Sequence, residues 1–274
     1  VKKPPATLTL NTGATIPQVG LGVWQSPRGD VTRDAVRAAL RLGYGHVDTA
    51  RIYGNEAEVG EAVRASGLPR ASVFVTTKLW NADQGFDSAL RAFDASLEKL
   101  GLEYVDLYLI HWPVAGQRLE SWRALERIYA DGRARAIGVS NFLVPHLEEL
   151  LVHAKIVPAV DQIEVHPFLQ HRETRAFCAA KGIVVEAYSP LTHGEKLRHP
   201  KVTQVAKRVK RSNAQVLLRW GIQHGMVVLP KSVNEARIAE NLALFDFELD
   251  REAMAVLDAL DEGAATGWDP RSQA

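Results

Sequence analysis

Short apolar or β-branched runs alternate with longer segments of helical period along almost the whole chain, and this alternation constrains the fold more than any other feature. The runs are Val19–Trp24, Gly45–Thr49, Val73–Leu79, Val105–Ile110, Ala136–Val139, Val160–Val165, Ile183–Tyr188 and Met226–Leu229, eight in all. Between them lie segments with apolar residues spaced for one helix face. Arg33–Leu42 carries Ala35, Val36, Ala39 and Leu40, with Thr32 as the expected N-cap and Gly43 as the stop. Ser88–Leu100 stops at Gly101, and Trp122, Leu125, Ile128 and Tyr129 precede Gly132. Helices are also expected over Val144–His153, Thr174–Lys181, Lys201–Arg211, Asn213–His224, Asn234–Leu244 and Arg251–Leu260. Near-continuous apolar runs mark strands covered on both faces, as in a parallel sheet. Eight strand–helix units in strict alternation therefore predict an α/β fold, a (β/α)8 TIM barrel formed as a single domain over residues 1–274. Thr7–Leu10 and Ala14–Ile16, joined by Asn11-Thr12-Gly13, read as an N-terminal β-hairpin capping the bottom of the barrel. Arg251–Leu260 adds a helix beyond the eighth unit, near the C-terminus. An open doubly wound sheet is the weaker alternative, because no G-x-G-x-x-G follows any of the runs; Gly20-Leu21-Gly22 reads as turn or packing glycine.

Composition narrows the function classes. Lys+Arg 33 against Asp+Glu 32 leaves a net charge of +1, which gives no electrostatic case for nucleic acid. One cysteine, Cys178, permits neither an intrachain disulfide nor a thiolate metal cage and suits a reducing compartment. Val1-Lys2-Lys3-Pro4-Pro5-Ala6 has no apolar run after its lysines and is not expected to be a signal peptide. No apolar stretch approaches the roughly 20 residues of a membrane span. The expectation is a cytoplasmic monomer acting on a small molecule, with no membrane and no nucleic-acid partner.

A barrel of this kind carries its active site at the C-terminal ends of the strands. Reading those ends in order gives Gly22-Val23-Trp24, Asp48-Thr49-Ala50 with the loop Arg51–Glu56, Thr77–Trp80, His111-Trp112-Pro113, Ser140-Asn141, Gln162 to Pro167, Tyr188–Leu191 and Pro230–Val233. Asp48, Tyr53, Lys78 and His111 converge on one face, and their chemistry fits together. A phenol is protonated at neutral pH, with an ordinary pKa of about 10, and can hand a proton to an oxygen that becomes negative. A neighbouring ammonium favours the phenolate. Asp48 would hold Lys78, and His111 would donate to and orient the same oxygen. This set describes carbonyl reduction with Tyr53 as general acid.

No side chain supplies a hydride, so a nicotinamide cofactor is implied. Ser140, Asn141 and Gln162 can hydrogen-bond a carboxamide, and Tyr188 offers a ring to stack on. Lys231, Ser232, Val233 and Asn234 open a helix and Arg237 follows one turn on, which makes an anion site. It is read as holding a 2′-phosphate, hence NADPH over NADH, with Glu240 and Asn241 on the adenine. Gly22 and Val23 at the first strand end are counted with the cofactor-binding set.

These residues resemble the aldo-keto reductases. The matching stretches are GYGHVDTARIYGNE at Gly43–Glu56, LYLIHWP at Leu107–Pro113, IGVSNF at Ile137–Phe142, QIEVHP at Gln162–Pro167, YSPL at Tyr188–Leu191 and LPKSVNEARIAEN at Leu229–Asn241. They occur in order, and the resemblance runs from Ile16 to about Leu260. The resemblance implies a (β/α)8 barrel, NADPH-dependent reduction of aldehydes and ketones, a catalytic tetrad at Asp48, Tyr53, Lys78 and His111, and Ser189 and Leu191 among the cofactor residues. KLWN at Lys78–Asn81, NFLVPHLEEL at Asn141–Leu150 and FDFEL at Phe245–Leu249 are most similar to bacterial members such as 2,5-diketo-gluconate reductase, so small dicarbonyls or keto-sugars are the expected substrates. Thr192-His193 departs from the glycine that follows YSPL in many relatives, and Asp161 from the usual asparagine.

Other features have plainer readings. Trp24, Trp80 and Trp112 sit at strand ends and would wall an apolar substrate pocket, whereas Trp122 and Trp220 lie within helices and belong to the core. Trp268, in the tail, is placed to fold over the mouth. The basic run Lys207–Arg211 reads as a solvated helix face. No HExxH occurs among the nine histidines, so no metal is expected. Cys178, between Phe177 and Ala179, reads as buried and inert. Two rival functions remain: a glycosidase using Glu164 and Glu186, and a cofactor-binding scaffold without turnover.

Overall fold

The computed structural model describes residues 6–270; the lysine-containing segment at residues 1–5, read above as no signal peptide, and residues 271–274 lie outside it. A two-stranded antiparallel hairpin, β1 (Thr7–Thr9) and β2 (Thr15–Pro17), comes first. Eight parallel strands follow: β3 (Leu21–Gly22), β4 (His46–Asp48), β5 (Phe74–Leu79), β6 (Leu107–Ile110), β7 (Ile137–Ser140), β8 (Val160–Glu164), β9 (Val184–Tyr188) and β10 (Val227–Val228). Each pairs with its neighbours in chain order. The last strand returns to the first through the parallel bridges Val19–Val228 and Gly22–Lys231, which close the ring. Around it run α1 (Asp30–Leu42), α2 (Glu56–Arg64), α3 (Phe86–Leu100), α4 (Arg118–Ala130), α5 (Val144–His153), α6 (Arg172–Ala180), α7 (Pro200–Val209), α8 (Asn213–Gln223), α9 (Glu235–Leu242) and α10 (Arg251–Asp258). No helix among the described residues is long and apolar enough to cross a membrane.

The larger core lies between strands and helices, where Val36, Val75, Phe93, Ile110, Leu125, Val139 and Leu218 pack. A second, smaller core fills the barrel. Leu10 and Ile16 of the hairpin join Phe74, Leu107, Leu109, Ala136, Val160, Val227 and Leu229 in it, and Asn11 anchors the hairpin tip to the carbonyl of Pro158 at 3.0 Å. The hairpin therefore plugs the N-terminal end of the barrel. Above this apolar floor the interior turns polar: His46, Asp48, Lys78, Gln162 and Glu186 are all buried. Gly20 is what makes room for this layer. A Cβ built there would lie 2.6 Å from the His46 ring and 2.7 Å from Leu229, so the glycine is a packing glycine, as its sequence context suggested.

The expected helices are found with ends displaced by one to a few residues, as fraying ends allow. Three differences have physical causes. Thr32 is not an N-cap: α1 begins at Asp30, and the Thr32 hydroxyl is buried and donates to Ser26 Oγ and the Pro27 carbonyl. A helix after the second barrel strand, α2, was not expected. Its buried residues are Glu56, Val59, Gly60, Ala62 and Val63, a short apolar stripe interrupted by a glycine that weakens the local signal, and Gly60 sits against the Leu100 backbone too closely for any Cβ. Helix α4 starts at Arg118, one turn before Trp122, the first residue of the apolar spacing read above.

Candidate active site

The two central strands fix the first pair of groups. Asp48 ends β4 and Lys78 stands near the end of β5, on side-chain positions that both point inward. Lys78 Nζ donates to Asp48 Oδ1 at 2.7 Å, to the Thr49 carbonyl at 2.9 Å and to Tyr53 Oη at 3.3 Å. Tyr53 reaches this point because a 3-10 turn, Arg51–Tyr53, follows β4 and is closed by Gly54 at φ 69°, a left-handed conformation that glycine adopts without cost. Buried Asn55 locks the turn: its amide donates to the Val23 carbonyl at 3.0 Å and accepts from Thr49 Oγ1 at 2.8 Å. Nothing in the sequence marked Asn55 for this task except its place beside Tyr53.

His111, just past β6, faces the same point. Its ring meets Tyr53 edge to face at 5.8 Å and Trp80 at 5.3 Å, and its Nδ1 is buried without a hydrogen-bond partner. The tetrad thus stands together on one rim of the barrel.

Electrostatics at the rim correct one expectation. Burial pushes the Tyr53 phenol up; Lys78 opposes this by charge and hydrogen bond, Asp48 and Glu186 reinforce it, and the net direction is upward. Lys78 offsets part of the burial cost of the phenolate and does not make Tyr53 more acidic than a phenol in water. Tyr53 is therefore protonated at neutral pH. Burial would strip Lys78 of its proton, but Asp48 outweighs it together with the other partners, and Lys78 remains an ammonium. His111 is held well below its ordinary value by burial and by Lys78, so it is a neutral imidazole with one N–H to give.

The expected carboxamide-binding residues are adjacent but bonded to each other. Ser140 and Gln162 are register partners across β7 and β8, and Ser140 Oγ donates to the Gln162 carbonyl at 2.7 Å. Asn141, at φ 63°, donates to the His111 carbonyl at 3.0 Å and to Ser140 Oγ at 3.1 Å, and accepts from Tyr188 Oη at 2.8 Å. The Gln162 amide nitrogen donates to Asp48 Oδ2 at 2.8 Å and to Glu186 Oε2 at 2.6 Å. Each group is thus oriented by its neighbours before any ligand arrives. Glu186 and its link to the tetrad were not foreseen as part of this site.

Gly22 closes the ring beside Lys231, and the Val23 N–H donates to the Asp48 carbonyl at 3.1 Å. Lys231 and Arg237 are exposed, and neither has a carboxylate within ion-pair distance among the described residues. Ser232 Oγ accepts from the Asn234 N–H at 3.1 Å, and Asn234 Oδ1 caps α9 by accepting from the Arg237 N–H at 3.1 Å. Asn234 is thereby committed to the helix cap, while the two cations beside it remain available to an anion. Val233, just before α9, is exposed, while Glu240 and Asn241 in its last turn are half-buried and buried. Ser189, at φ 46°, bonds His193 Nε2 at 2.9 Å, and Leu191 precedes the turn Thr192–Gly194. Thr192 has φ 53°, in the left-handed region that favours glycine; its hydroxyl donates to the Leu191 carbonyl at 2.7 Å and accepts from the Lys196 N–H at 3.0 Å. Asp161 faces the helices, not the site: it is buried with Cys178 Sγ 3.8 Å away, and burial pushes its carboxyl well up. The same burial pushes the Cys178 thiol up.

The tryptophans divide. Trp80 walls the site against His111; Trp24 stands at the edge, its ring against His193 at 5.4 Å; Trp112 is buried and meets Trp268 at 5.7 Å. Trp268 is brought there by a tail that crosses the strand ends, tied down where Thr266 donates to Glu164 through both its N–H and its hydroxyl. Glu164 also bonds His166 at 3.0 Å.

Comparison with known proteins agrees with this geometry: the model of the Aldo/keto reductase family matches residues 18–262. The chain belongs to the aldo/keto reductase family. This aldo/keto reductase is 49% identical over 264 residues to the glyoxal reductase of Bacillus subtilis, covering 96% of each chain. It is 52% identical over 267 residues to an aldo-keto reductase of a Mycobacterium strain, covering 97% of this chain and 96% of that one. Among solved structures, the Bombyx mori aldo-keto reductase in complex with NADP superimposes with a TM-score of 0.91 at 36% identity, covering 96% of this chain and 95% of that one.

Proposed function

We propose that this chain is an NADPH-dependent reductase of aldehydes and ketones, with small dicarbonyls or keto-sugars as the substrate class and Tyr53 as the general acid. The observation that carries the reading is the contact of one buried ammonium, Lys78 Nζ, with both Asp48 and Tyr53 Oη, beside the neutral His111 ring. A protonated phenol next to a fixed cation is the arrangement that gives up a proton when negative charge forms on a nearby oxygen. Lys78 compensates the phenolate that results, Asp48 holds Lys78 in place, and the His111 N–H fixes the oxygen. Trp80, Trp24 and Trp112 exclude water from the apolar end of the substrate.

The residues present fit a nicotinamide dinucleotide. Tyr188 and Asn141 lie beside the tetrad, and the unpaired Lys231 and Arg237 at the start of α9 suit a 2′-phosphate. When bound, the cofactor supplies the hydride that no side chain can. The NADP complex of the Bombyx mori relative and the name of the Bacillus subtilis glyoxal reductase support the cofactor and the dicarbonyl class respectively. A glycosidase reading has less support, since the Glu164 and Glu186 carboxyls are engaged by Thr266 with His166 and by Gln162, respectively.

The test is NADPH oxidation followed by absorbance with methylglyoxal as substrate. Tyr53→Phe should abolish turnover while NADPH affinity, read by fluorescence quenching, stays within a few-fold of wild type. Turnover by Y53F at the wild-type rate refutes the assignment of the acid.

A further inference from the structure

Beneath the tetrad lies a buried carboxyl that the reaction as described does not use. Glu186 is fully enclosed in the barrel interior on β9, one layer below Tyr188. Its Oε2 accepts from Gln162 Nε2, and the same nitrogen donates to Asp48 Oδ2. A single amide group therefore bridges two carboxyls, and the upper one is paired with Lys78. The other oxygen, Oε1, has no hydrogen bond and lies 3.6 Å from His46 Nε2. That histidine cannot neutralise it. His46 is buried, bonds Thr76 Oγ1 at 3.1 Å, and is held down to about 3 by burial and by Lys78, so it is neutral.

The charged and titratable groups facing Glu186 can be named from each side. From β4 come His46 and Asp48, and from β5 comes Lys78; β8 contributes Gln162, which is uncharged. Tyr53 lies above, within reach of its field. On the remaining side lie Val227 of β10, Leu229 just after it and Gly20 just before β3. The interior thus holds one fixed cation, one carboxylate bonded to it, and one further carboxyl. An additional buried charge with no partner of its own is costly, so the second carboxyl keeps its proton. Burial and Asp48 push Glu186 up to about 8, and Oε1 is the oxygen free to carry that proton.

We propose that Glu186 is a positioning residue of the active site: seated under Asp48 and held by the same Gln162 amide, it leaves Tyr53 free to give up its proton while neutral and opposes that transfer once ionised. The proposal rests on the assignment of Tyr53 as the acid. When Glu186 loses its proton, a second negative charge appears below Lys78, the ammonium is shared between two carboxylates, and the phenolate is less compensated. Reduction should then slow on the alkaline side before Tyr53 itself ionises. It follows that the site favours reduction at neutral pH through a carboxyl that touches neither substrate nor cofactor.

The experiment is the pH dependence, from 6 to 10, of the single-turnover rate of NADPH oxidation with methylglyoxal, for wild type, Glu186→Gln and Tyr53→Phe. Glutamine keeps the shape and the bond to Gln162 but cannot ionise. E186Q should keep KM for the carbonyl within about two-fold, and its alkaline fall in rate should move up by one pH unit or more. A profile for E186Q superimposable on wild type, with Y53F inactive, overturns the role of Glu186 and leaves Tyr53 standing. Activity in Y53F overturns both. Should E186Q not fold, infrared difference spectra between pH 7 and 9 on the Asp161→Asn variant give the same answer: loss of a buried protonated carboxyl band supports the proposal, and an unchanged spectrum overturns it.

Discussion

Replacing Lys78 with methionine is the most informative single perturbation, because it separates stability from chemistry at one atom. Methionine keeps much of the stem volume and removes only the ammonium. Three acceptors lose their donor: Asp48 Oδ1 at 2.7 Å, the Thr49 carbonyl at 2.9 Å and Tyr53 Oη at 3.3 Å. At 2.7 Å and an effective dielectric of about 20, the gross attraction to Asp48 is roughly 6 kcal/mol. Much of that offsets the desolvation of two buried ions, and breaking such a pair by deleting one partner costs about 3–5 kcal/mol. Asp48 retains the Gln162 bond and can take up a proton, which places the expected loss near the lower end. Urea unfolding should therefore show K78M destabilised by about 3 kcal/mol. The double variant Lys78→Met/Asp48→Asn should recover most of it, since no unpaired charge then remains. Turnover should fall by at least about 100-fold in both variants, because each pKa unit of lost phenolate compensation is worth about 1.4 kcal/mol. If K78M unfolds at the wild-type urea midpoint, or if restoring stability in the double variant restores turnover, the reasoning about a buried pair supporting a phenol is wrong.

Other outcomes follow from the same structure. Arg237→Ala should weaken NADPH binding far more than NADH binding in fluorescence titrations; equal losses would refute the 2′-phosphate assignment. Gly20→Ala should cost about 1–3 kcal/mol in urea unfolding, because its Cβ would press on the His46 ring and Leu229, and a neutral result would show that the layer can give way. Glu186 keeps its proton in the folded protein to about pH 8 but releases it near 4.5 when unfolded. The folded state binds more protons across that window, so this group's contribution to stability falls as pH rises, by about 1.4 kcal/mol per pH unit. The stability of wild type relative to E186Q should therefore decline between pH 6 and 8, and a constant difference would contradict it. Thr266→Val removes the hydroxyl bond to Glu164 and keeps the N–H bond, so it should loosen the tail and make the segment around Trp268 more susceptible to proteolysis, with KM for bulky carbonyls changed more than for methylglyoxal; unchanged cleavage and KM would mean the hydroxyl does not hold the tail.

The alternation of apolar runs with helical segments determined the barrel, because a strand covered on both faces has few other ways to be buried. Residue type at the strand ends made the tetrad legible as well: Lys78 and His111 follow apolar runs that stability alone would leave uncharged. What the chain alone did not disclose depends on distances between residues far apart in sequence. Gly60 of helix α2 packs on the Leu100 backbone, a contact between residues far apart in the chain that no local periodicity records. The direction of the Tyr53 shift was a contest between burial and Lys78, and burial is a property of the assembled rim. Glu186 could be seen on an inward-facing position, but its place beneath Asp48 arises only when β9, β8 and β4 curl around one axis and a single Gln162 amide spans two carboxyls. Sequence thus fixes which groups are available, through residue type and period. Burial and three-dimensional closeness, which set the energies of charges, are decided only when the ring closes.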